Sequence, residues 1–415
     1  MVVASRIGYP ASMVDPVDPI TAATWVGDRP PVVLQVLPAL QTGGVERGSV
    51  DVAAAVVAAG WTAVVASSGG RMVGELGRVG ARHVDLPLHS KNPWIMRANV
   101  GRLEALIRAD GVDIVHARSR APAWSALVAA RRTGCAFVTT FHGTYNVGTP
   151  FKRWYNSVMT RGARVIAISE FIADHIRRNY RIDEARLRVV PRGVDLDVFD
   201  PARVTRERLV ELARRWRLPD GIPVVMLPAR FARWKGQAIL IEAVALLGHR
   251  RLRCLLVGSA EGHPRYRQHL ERLIARRGLE SVVCIVDECR DMPAAYMVAD
   301  VVVSASIEPE AFGRVVIEAQ AMGRPVVATD HGAVRETVAP EVTGWLVPPA
   351  SPRALAEALE RALELDGAAG LTLAERARAR VRERYAKDAM CRGTLAVYRE
   401  LVGDRAAGVA SAAAS

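Results

Sequence analysis

Residues 301–318, VVVSASIEPEAFGRVVIE, contain a short apolar run, a loop and the start of a helical pattern. The β-branched run from Val301 is typical of a buried parallel strand. Residues from Arg314 to Met322 carry apolar side chains at helical spacing, and the pattern stops at Gly323. Open α/β sheets bind ligands in the loops at the carboxyl ends of their strands. The stretch therefore predicts a strand, a ligand-binding loop and a helix of a parallel α/β domain.

Two glutamates bracket this predicted strand-to-helix turn. Glu310 falls in the loop, and the amides of Ala311, Phe312 and Gly313 lie at a helix N-terminus, which suits anionic or hydroxyl-rich ligands. Glu318 shares a helical face with apolar residues, where an unpaired carboxylate is costly, so we expect it to have a partner. On the residues alone, an ion pair of Glu318 with a nearby arginine and a solvated Glu310 explain the two acids as well as ligand binding does.

The sequence around the glutamates resembles the retaining nucleotide-sugar glycosyltransferases of family 4, which include lipopolysaccharide-core and phosphatidylinositol mannosyl transferases. The similarity extends from about Val33 to Leu401. The resemblance implies that Glu310 contacts the donor sugar and that Glu318 binds the ribose hydroxyls of the nucleotide. The matching segments are residues 306–313 and 318–329, Gly332, Glu336 and residues 344–349.

Apolar runs alternate with helical patterns in two series along the chain, which predicts two sets of βαβ units. At 415 residues the chain also exceeds the usual size of a single hydrophobic core. The predicted strands are residues 32–37, 62–66, 114–116, 137–141, 165–168, 224–227, 255–257, 283–286, 301–303 and 326–328.

The fold that the resemblance implies is α/β of the GT-B type, with two Rossmann-like domains facing each other across a cleft and the C-terminal helix returning to the first domain. The expected divisions are a disordered extension (1–28), an N-terminal acceptor-side domain (29–200), a C-terminal nucleotide-sugar-binding domain (201–385), a terminal helix (386–402) and a flexible tail (403–415).

The predicted first domain supplies candidate residues at three strand ends. Gly43 and Gly44 let the backbone approach a ligand, although a Gly-Gly turn alone is weak evidence. His142 follows a predicted strand, and without the resemblance a structural histidine explains it equally well. The resemblance implies that the glycines lie against the donor diphosphate or acceptor and that His142 contacts the donor sugar. The acceptor candidates are His116, Arg118 and Arg120.

The predicted second domain carries Arg230 and Lys235 in a segment that resembles the family's diphosphate-binding loop. Fixed cations there would stabilise a departing nucleoside diphosphate without a metal ion, whereas ordinary loop charges would need no ligand. Asp195 and Asp197 have a spacing that could serve a hard cation, but they lie in a segment resembling the family's interdomain connection. We therefore expect no metal and no cofactor.

Composition narrows the choice of partners. The net charge of +13 favours an acidic partner, such as anionic lipid, a phosphorylated acceptor or nucleic acid, or simply reflects an arginine-rich composition. No nucleic-acid-binding motif accompanies the charge, so no nucleic-acid partner is expected. Five cysteines without a CxxC pair predict reduced packing residues.

The sequence shows no signal-like N-terminus and no long apolar run, so a cytoplasmic location is expected. Residues 91–97 and 151–155 interleave cations with aromatic side chains, which favours peripheral contact with an anionic membrane. Partial burial of these aromatics in loops and helices is the alternative.

The family resemblance implies a retaining, metal-independent glycosyltransferase that moves a hexose-type sugar from a nucleotide-diphosphate donor to a saccharide or lipid-linked acceptor, in lipopolysaccharide or other cell-envelope glycan synthesis. The resemblance implies front-face substitution, with the sugar held by His142, Glu310 and the Phe312 and Gly313 amides. The alternatives are another GT-B sugar-nucleotide enzyme, such as an epimerase, and a noncatalytic nucleotide-sugar-binding protein. The nucleotide is left open, because Asp287 stands where many members carry glycine.

Overall fold

The computed structural model describes residues 29–41, 43–248, 251–260 and 263–413, with side chains as far as Gly403. The expected extension over residues 1–28 lies outside the described residues. The described chain divides into two compact units, a C-terminal domain of Gly193–Ala386 and an N-terminal domain that ends at Arg192 and is completed by residues from Lys387 onward. The terminal helix therefore returns to the first domain, as expected.

The N-terminal domain is built on a parallel sheet of seven strands in the order β3-β2-β1-β4-β5-β6-β7. Its strands are β1 (Val32–Val36), β2 (Thr62–Ser67), β3 (Arg82–Asp85), β4 (Ile114–Ala117), β5 (Ala136–Phe141), β6 (Arg164–Ala167) and β7 (Leu187–Val189). Its first helices are α1 (Gly44–Ala58), α2 (Val73–Arg78), α3 (Pro93–Asp110), α4 (Arg120–Thr133), α5 (Pro150–Asn156) and α6 (Glu170–Asn179).

The C-terminal domain is built on a parallel sheet of six strands in the order β10-β9-β8-β11-β12-β13. Its strands are β8 (Val224–Pro228), β9 (Arg253–Val257), β10 (Val283–Val286), β11 (Val301–Ser304), β12 (Val326–Thr329) and β13 (Trp345–Val347). Its helices are α7 (Arg206–Arg215), α8 (Gln237–Leu246), α9 (Pro264–Arg276), α10 (Met292–Val298), α11 (Arg314–Ala321), α12 (Val334–Thr337), α13 (Pro352–Leu363) and α14 (Gly367–Arg384).

The last helix, α15 (Lys387–Ala413), packs on the N-terminal domain. Tyr398 is fully buried in the core beside α1, and Glu400 forms ion pairs with Arg164 and Arg188, each at 2.8 Å, beside β6 and β7. The helix continues through Ala413 instead of giving way to a tail at residue 403. An alanine-rich segment without proline favours this extension, because alanine has the highest helix propensity.

Each sheet reverses its strand order at one point, and this positions the candidate residues. In the C-terminal domain β8 lies between β9 and β11, and in the N-terminal domain β1 lies between β2 and β4. The loops after such neighbouring strands diverge and leave a crevice at the carboxyl edge of the sheet. The loops that follow β8 and β11 therefore lie side by side. No helix among the described residues is long and apolar enough to cross a membrane.

Candidate active site

Lys235 and Glu310 meet at the carboxyl edge of the C-terminal sheet. The Lys235 Nζ lies 2.5 Å from the Glu310 Oε1, and the Ser306 hydroxyl donates to the same oxygen at 2.5 Å. The two charged side chains are only 19% and 14% exposed, so the pair is shielded from bulk water. The Lys235 ammonium also lies 3.9 Å from the centroid of the Trp234 ring. The arrangement fixes a cation and a carboxylate together, as charge-assisted hydrogen bonds do.

Two glycines allow the loops around this pair to approach closely. Gly236 has φ 72° and its α-carbon faces the Ala305 carbonyl so closely that a side chain would overlap it. Gly332 has φ 65°, and a Cβ there would lie 2.5 Å from the Glu310 carbonyl oxygen. The neighbouring Ala333 amide donates to that carbonyl at 2.9 Å. The backbone of Glu310 is therefore held by a segment that tolerates only glycine at its point of contact.

The predicted amide cluster stands directly before α11. Gly313 is the residue that precedes the helix, and Phe312 is buried with its ring 5.7 Å from that of Tyr385. The aromatic contact anchors residues 311–313 beside the Lys235–Glu310 pair. The first amides of a helix lack intrahelical acceptors and are aligned with its positive dipole end, so this terminus is suited to negative charge.

Glu318 has the partners that its buried position requires. Its side chain is 10% exposed, and its carboxylate accepts from the Arg314 guanidinium at 2.7 Å and from the Tyr296 hydroxyl at 2.8 Å. Burial and the adjacent carboxylate raise the pKa of Tyr296 well above its ordinary value, so the hydroxyl stays protonated. The expectation of a partner is confirmed, and the arginine partner is the one that the sequence allowed for. The binding of ribose hydroxyls by Glu318 stays a prediction.

Arg230, the second predicted cation of this loop, takes no part in the Lys235–Glu310 ion pair. Arg230 is exposed, and within the described residues its guanidinium has neither a hydrogen bond nor an ion pair. Its carbonyl accepts from the Gln237 side chain at 3.0 Å, which fixes the backbone of the loop. Arg230 is thus available to an anionic ligand, and its role stays a prediction.

His142, after β5 in the N-terminal domain, has two buried ring nitrogens without a hydrogen-bond partner among the described residues. Burial lowers its pKa well below the ordinary value, and the positive charges of Arg192 and Arg118 lower it further. The ring is therefore neutral. Buried polar atoms are normally satisfied, so an unpartnered imidazole is suited to a ligand that supplies the missing hydrogen bond.

Arg192 contacts the glycine loop and influences His142 electrostatically, and the sequence analysis does not predict either role. The side chain is 7% exposed and its guanidinium donates to the carbonyl of Gly44. Gly43 itself is exposed and directly precedes α1. A buried cation thus lies beneath the Gly43–Gly44 turn. The sequence carries a signal for this residue, because Arg192 belongs to the Pro-Arg-Gly-Val segment that resembles the family's interdomain connection.

The three acceptor candidates are engaged within the N-terminal domain. His116 is fully buried, with Nδ1 2.5 Å from the Tyr398 hydroxyl and Nε2 2.7 Å from the Thr140 hydroxyl. Arg118 is 3% exposed and donates to the Gly48 carbonyl at 2.5 Å. Both ring nitrogens of His116 and two N–H groups of Arg118 are thus used inside the domain. Their contact with an acceptor stays a prediction.

Arg120, the third candidate, is less enclosed. Its guanidinium donates to the Asn156 side chain at 2.9 Å and lies 4.3 Å from the centroid of the Tyr145 ring. A guanidinium has five N–H donors, so these contacts leave others for an acceptor phosphate. Arg120 stays a predicted acceptor residue.

Asp195 and Asp197 make local contacts within their own segment of the chain. The Asp195 carboxylate accepts from the Asp197 amide at 3.0 Å, and Asp197 forms an ion pair with Arg203 at 2.9 Å. Across the described residues, no group of three or more His, Cys, Asp or Glu side chains has the geometry of a metal site.

Comparison with known proteins assigns the chain to a family. The family model described as Glycosyltransferase Family 4 matches residues 42–198, and the one described as Glycosyl transferases group 1 matches residues 211–384. The D-inositol 3-phosphate glycosyltransferase of Xylanimonas cellulosilytica is 32% identical over 326 residues, which cover 75% of this chain and 77% of that protein. The chain belongs to the family 4 glycosyltransferases and is a hexosyl-transferring enzyme.

Solved structures confirm the GT-B fold. A glycosyltransferase of Rickettsia africae has 39% sequence identity and a TM-score of 0.84, over 90% of this chain and 99% of that chain. HepE of Anabaena, solved in complex with UDP and glucose, has 23% identity and a TM-score of 0.77, over 88% of this chain and 99% of that chain. The expected pair of Rossmann-like domains is therefore confirmed.

The neutral, buried histidines predict that stability falls in acid. His116 and His142 both have pKa values well below the ordinary 6.5, so below about pH 6.5 the unfolded chain binds protons that the folded chain does not. The free energy of unfolding should drop by about 1.4 kcal/mol per pH unit for each histidine, starting near pH 6.5. Denaturant unfolding between pH 5 and 7 measures this slope.

His142→Asn provides the matched comparison, because it removes one of the two imidazole groups that bind a proton in the unfolded chain and leaves the other, His116, in place. The slope of unfolding free energy against pH should decrease by about half of the contribution of these two histidines. An unchanged slope would mean that His142 is protonated in the folded protein.

Proposed function

We propose that this chain is a retaining, metal-independent glycosyltransferase that moves a hexose-type sugar from a nucleotide-diphosphate donor to an acceptor that carries phosphate or saccharide hydroxyls. The observation that carries the proposal is the Lys235–Glu310–Ser306 cluster beside the N-terminus of α11. One carboxylate oriented by a lysine and a hydroxyl, with helix amides next to it, combines a sugar-binding acid with a site for negative charge.

In this proposal, the negative charge that develops on the departing nucleoside diphosphate is stabilised by fixed positive groups. Lys235 is held by Glu310 and by the Trp234 ring, so it needs little reorganisation when the leaving group forms. Arg230 and the α11 amides supplement it. Glu318, oriented by Tyr296 and Arg314, accepts hydrogen bonds from the ribose, and the neutral His142 hydrogen-bonds to the transferred sugar.

Two parts of the proposal come from the family resemblance. The transfer retains the anomeric configuration without an enzyme nucleophile, and it needs no metal ion. The leaving phosphate would take the proton of the acceptor hydroxyl on the face from which it departs, while the sugar passes through an oxocarbenium-like state. Lys235 and Arg230 would do the electrostatic work that a divalent cation does in metal-dependent transferases.

For the acceptor, we propose a phosphorylated polyol or saccharide, with the lipid-linked intermediates of lipopolysaccharide or another cell-envelope glycan as the alternative members of the same class. The relative from Xylanimonas cellulosilytica is named for D-inositol 3-phosphate, which supports a small phosphorylated acceptor. The net charge of +13 and the spare donors of Arg120 favour an anionic acceptor as well.

The test is a transfer assay in EDTA that pairs UDP-, GDP- and ADP-hexoses with D-inositol 3-phosphate, unphosphorylated inositol and saccharide acceptors. The proposal expects one donor to give product by mass spectrometry, with the phosphorylated acceptor preferred over its unphosphorylated counterpart. Donor binding without transfer or hydrolysis would instead support a noncatalytic sugar-nucleotide-binding protein. Product formed only after a divalent cation is restored would overturn metal independence.

We further propose a cytoplasmic enzyme that touches an anionic membrane from one side. Three large aromatic side chains of residues 91–97 and 151–155 are exposed, with Trp94 at 78%, Phe151 at 70% and Trp154 at 53%, whereas Tyr155 is partly buried. Lys91, Arg97, Lys152 and Arg153 stand among them. Exposed aromatics interleaved with cations suit the interface between lipid headgroups and acyl chains.

Flotation with phosphatidylglycerol vesicles tests this contact. Replacing Trp94 and Phe151 together by serine should reduce the vesicle-bound fraction at least about tenfold, since each would lose the burial of a large apolar side chain. The control replaces Leu246 and Val342, which are exposed apolar residues of the C-terminal domain. Native protein that fails to float with anionic vesicles would contradict the membrane proposal.

A further inference from the structure

A surface cavity of about 590 Å³ in the N-terminal domain is lined by an unusual concentration of arginine. Of the described residues that line it, five are arginines and none is acidic, and the ring of Trp154 forms one wall. We call it the arginine cavity. The arginines are Arg131, Arg153, Arg161, Arg181 and Arg186.

The positive charge of the arginine cavity is not neutralised by the protein. None of the five guanidinium groups forms an ion pair among the described residues, whereas exposed arginines elsewhere commonly do so, as Arg47 does with Glu75 and Arg335 with Asp330. Like charges that share a concave surface repel one another and concentrate counter-ions. An arginine-rich composition explains many cations, but it does not explain five in one cavity without a carboxylate.

Two of the arginines are held in place before any ligand arrives. Arg186 donates to the Thr160 carbonyl at 2.9 Å and from its Nε to the Gly162 carbonyl at 3.0 Å. Arg161 donates to the Ser157 hydroxyl at 3.2 Å and lies 5.0 Å from the centroid of the Trp124 ring. Such groups lose little side-chain entropy when an anion binds, and each guanidinium retains donors for it.

Arg131 and Arg181 complete the cavity as exposed guanidinium groups without a hydrogen-bond partner among the described residues. The cavity thus combines guanidinium groups that hydrogen bonds hold in place with guanidinium groups that make no hydrogen bond among the described residues. Planar guanidinium forks match the oxygens of a phosphoryl group in pairs, and phosphate is the biological anion that such clusters recognise most often.

The arginine cavity is distinct from the candidate active site. Arg161 lies three residues before β6, Arg186 directly precedes β7, and Arg131 lies in the last turn of α4. These positions flank the amino-terminal ends of the strands. Gly43 and His142, by contrast, follow the carboxyl ends of β1 and β5. These three arginines therefore lie at the strand ends opposite Gly43 and His142, although Tyr180, which also lines the cavity, packs against Phe141 at the carboxyl end of β5.

We propose that the arginine cavity binds a phosphoryl group, carried either by a membrane phospholipid or by a soluble phosphate ester. The volume accommodates a phosphate together with the group that bears it, and the Trp154 ring offers an apolar or stacking contact to that group. This site is additional to the diphosphate loop of the C-terminal domain and does not depend on the proposed transfer reaction.

The test titrates inorganic pyrophosphate into the full chain by calorimetry. Arg230→Gln and Lys235→Gln are present in every protein, so that the predicted diphosphate loop does not contribute. In this background, adding Arg131→Gln with Arg181→Gln should weaken binding about tenfold or more, because charge-assisted hydrogen bonds are lost. The matched control adds Arg206→Gln with Arg214→Gln, two exposed arginines of α7 that carry the same charge.

A second arm identifies the source of the phosphoryl group. Vesicles of phosphatidylglycerol and of phosphatidylcholine are compared for binding of the same proteins. Binding to anionic vesicles that depends on Arg131 and Arg181 assigns the cavity to a phospholipid headgroup. Pyrophosphate binding with the same dependence but no such vesicle binding assigns it to a soluble phosphate ester.

Two results would overturn the proposal. One is the absence of any pyrophosphate or vesicle binding that depends on Arg131 and Arg181. The other is an equal loss caused by the α7 control pair, which would show that net charge alone is responsible. Neither result bears on transfer activity, so failure here and failure of the proposed function are distinguishable.

Discussion

Glu310→Gln should reduce the turnover of sugar transfer by about 10²–10³-fold while leaving the fold intact, since preorganised electrostatic groups make contributions of this size. The substitution keeps the volume of the side chain but removes the negative charge that holds Lys235 at 2.5 Å and accepts from Ser306. The neutral amide of the variant can neither orient the lysine by charge nor compensate the positive charge that develops on the sugar. The measurement is kcat with the donor and acceptor identified by the transfer assay.

Glu308→Gln is the matched control for this prediction. Glu308 lies in the same loop and is exposed, so the same chemical change occurs two residues away from the cluster. Its turnover should equal that of the native enzyme. If Glu310→Gln retained native turnover, Glu310 would be an ordinary loop acid, and the Lys235–Glu310 pair would have no part in transfer.

Glu318→Ala should weaken binding of the nucleotide-sugar donor at least about 100-fold, because a carboxylate that accepts from two ribose hydroxyls contributes roughly 1.5–3 kcal/mol for each charged hydrogen bond. Thermal stabilisation by the donor should disappear at concentrations that stabilise the native chain. The substitution also leaves the buried Tyr296 hydroxyl without its acceptor and removes the ion-pair partner of the Arg314 guanidinium. The free energy of unfolding should therefore fall by about 1–3 kcal/mol in the absence of donor.

Tyr296→Phe separates the binding role of Glu318 from its structural role. It removes the hydroxyl that donates to Glu318 at 2.8 Å but leaves the carboxylate and its Arg314 partner in place. We expect a modest loss of stability with most of the donor affinity retained. Equal donor affinity in native protein and Glu318→Ala would show that Glu318 acts only through packing, which is the interpretation that its arginine partner alone would suggest.

The central strands were predictable because their signal is local. Runs such as those of β1, β8 and β11 are β-branched, apolar and flanked by helical patterns, as strands covered on both faces are. The edge strands β3, β7 and β13 were not predicted. In β3, residues 82–85 read RHVD, with one apolar residue among three polar ones, so solvent exposure at the sheet edge removes the pattern on which the prediction depends.

The residues that the sequence missed at the site come from segments far apart in the chain. The need of Glu318 for a partner follows from its position on the helix, but Tyr296 reaches it from α10, and only the folded sheet brings the two together. Arg192 contacts the carbonyl of Gly44 across 148 positions of sequence. His116 shows the converse, since its strand-end position predicts a ligand contact, whereas in the fold its ring contacts Tyr398 of the terminal helix.

The exposure of the aromatic side chains also could not be predicted from the sequence. Neither residues 91–97 nor residues 151–155 have the long amphipathic pattern that distinguishes a surface helix, so the sequence alone favours partial burial. Trp94 and Phe151 are largely exposed because each lies in the first turn of a helix, α3 or α5, where few neighbours cover it.

The most direct test of the proposed mechanism is the anomeric configuration of the transferred sugar, determined by proton NMR on product formed in EDTA from an α-linked nucleotide-sugar. The proposal predicts an α-linked product, formed at the same rate before and after removal of divalent cations. A β-linked product, or a reaction that stops in EDTA and resumes with a divalent cation, would contradict a retaining transfer supported by Lys235, Glu310 and the α11 amides.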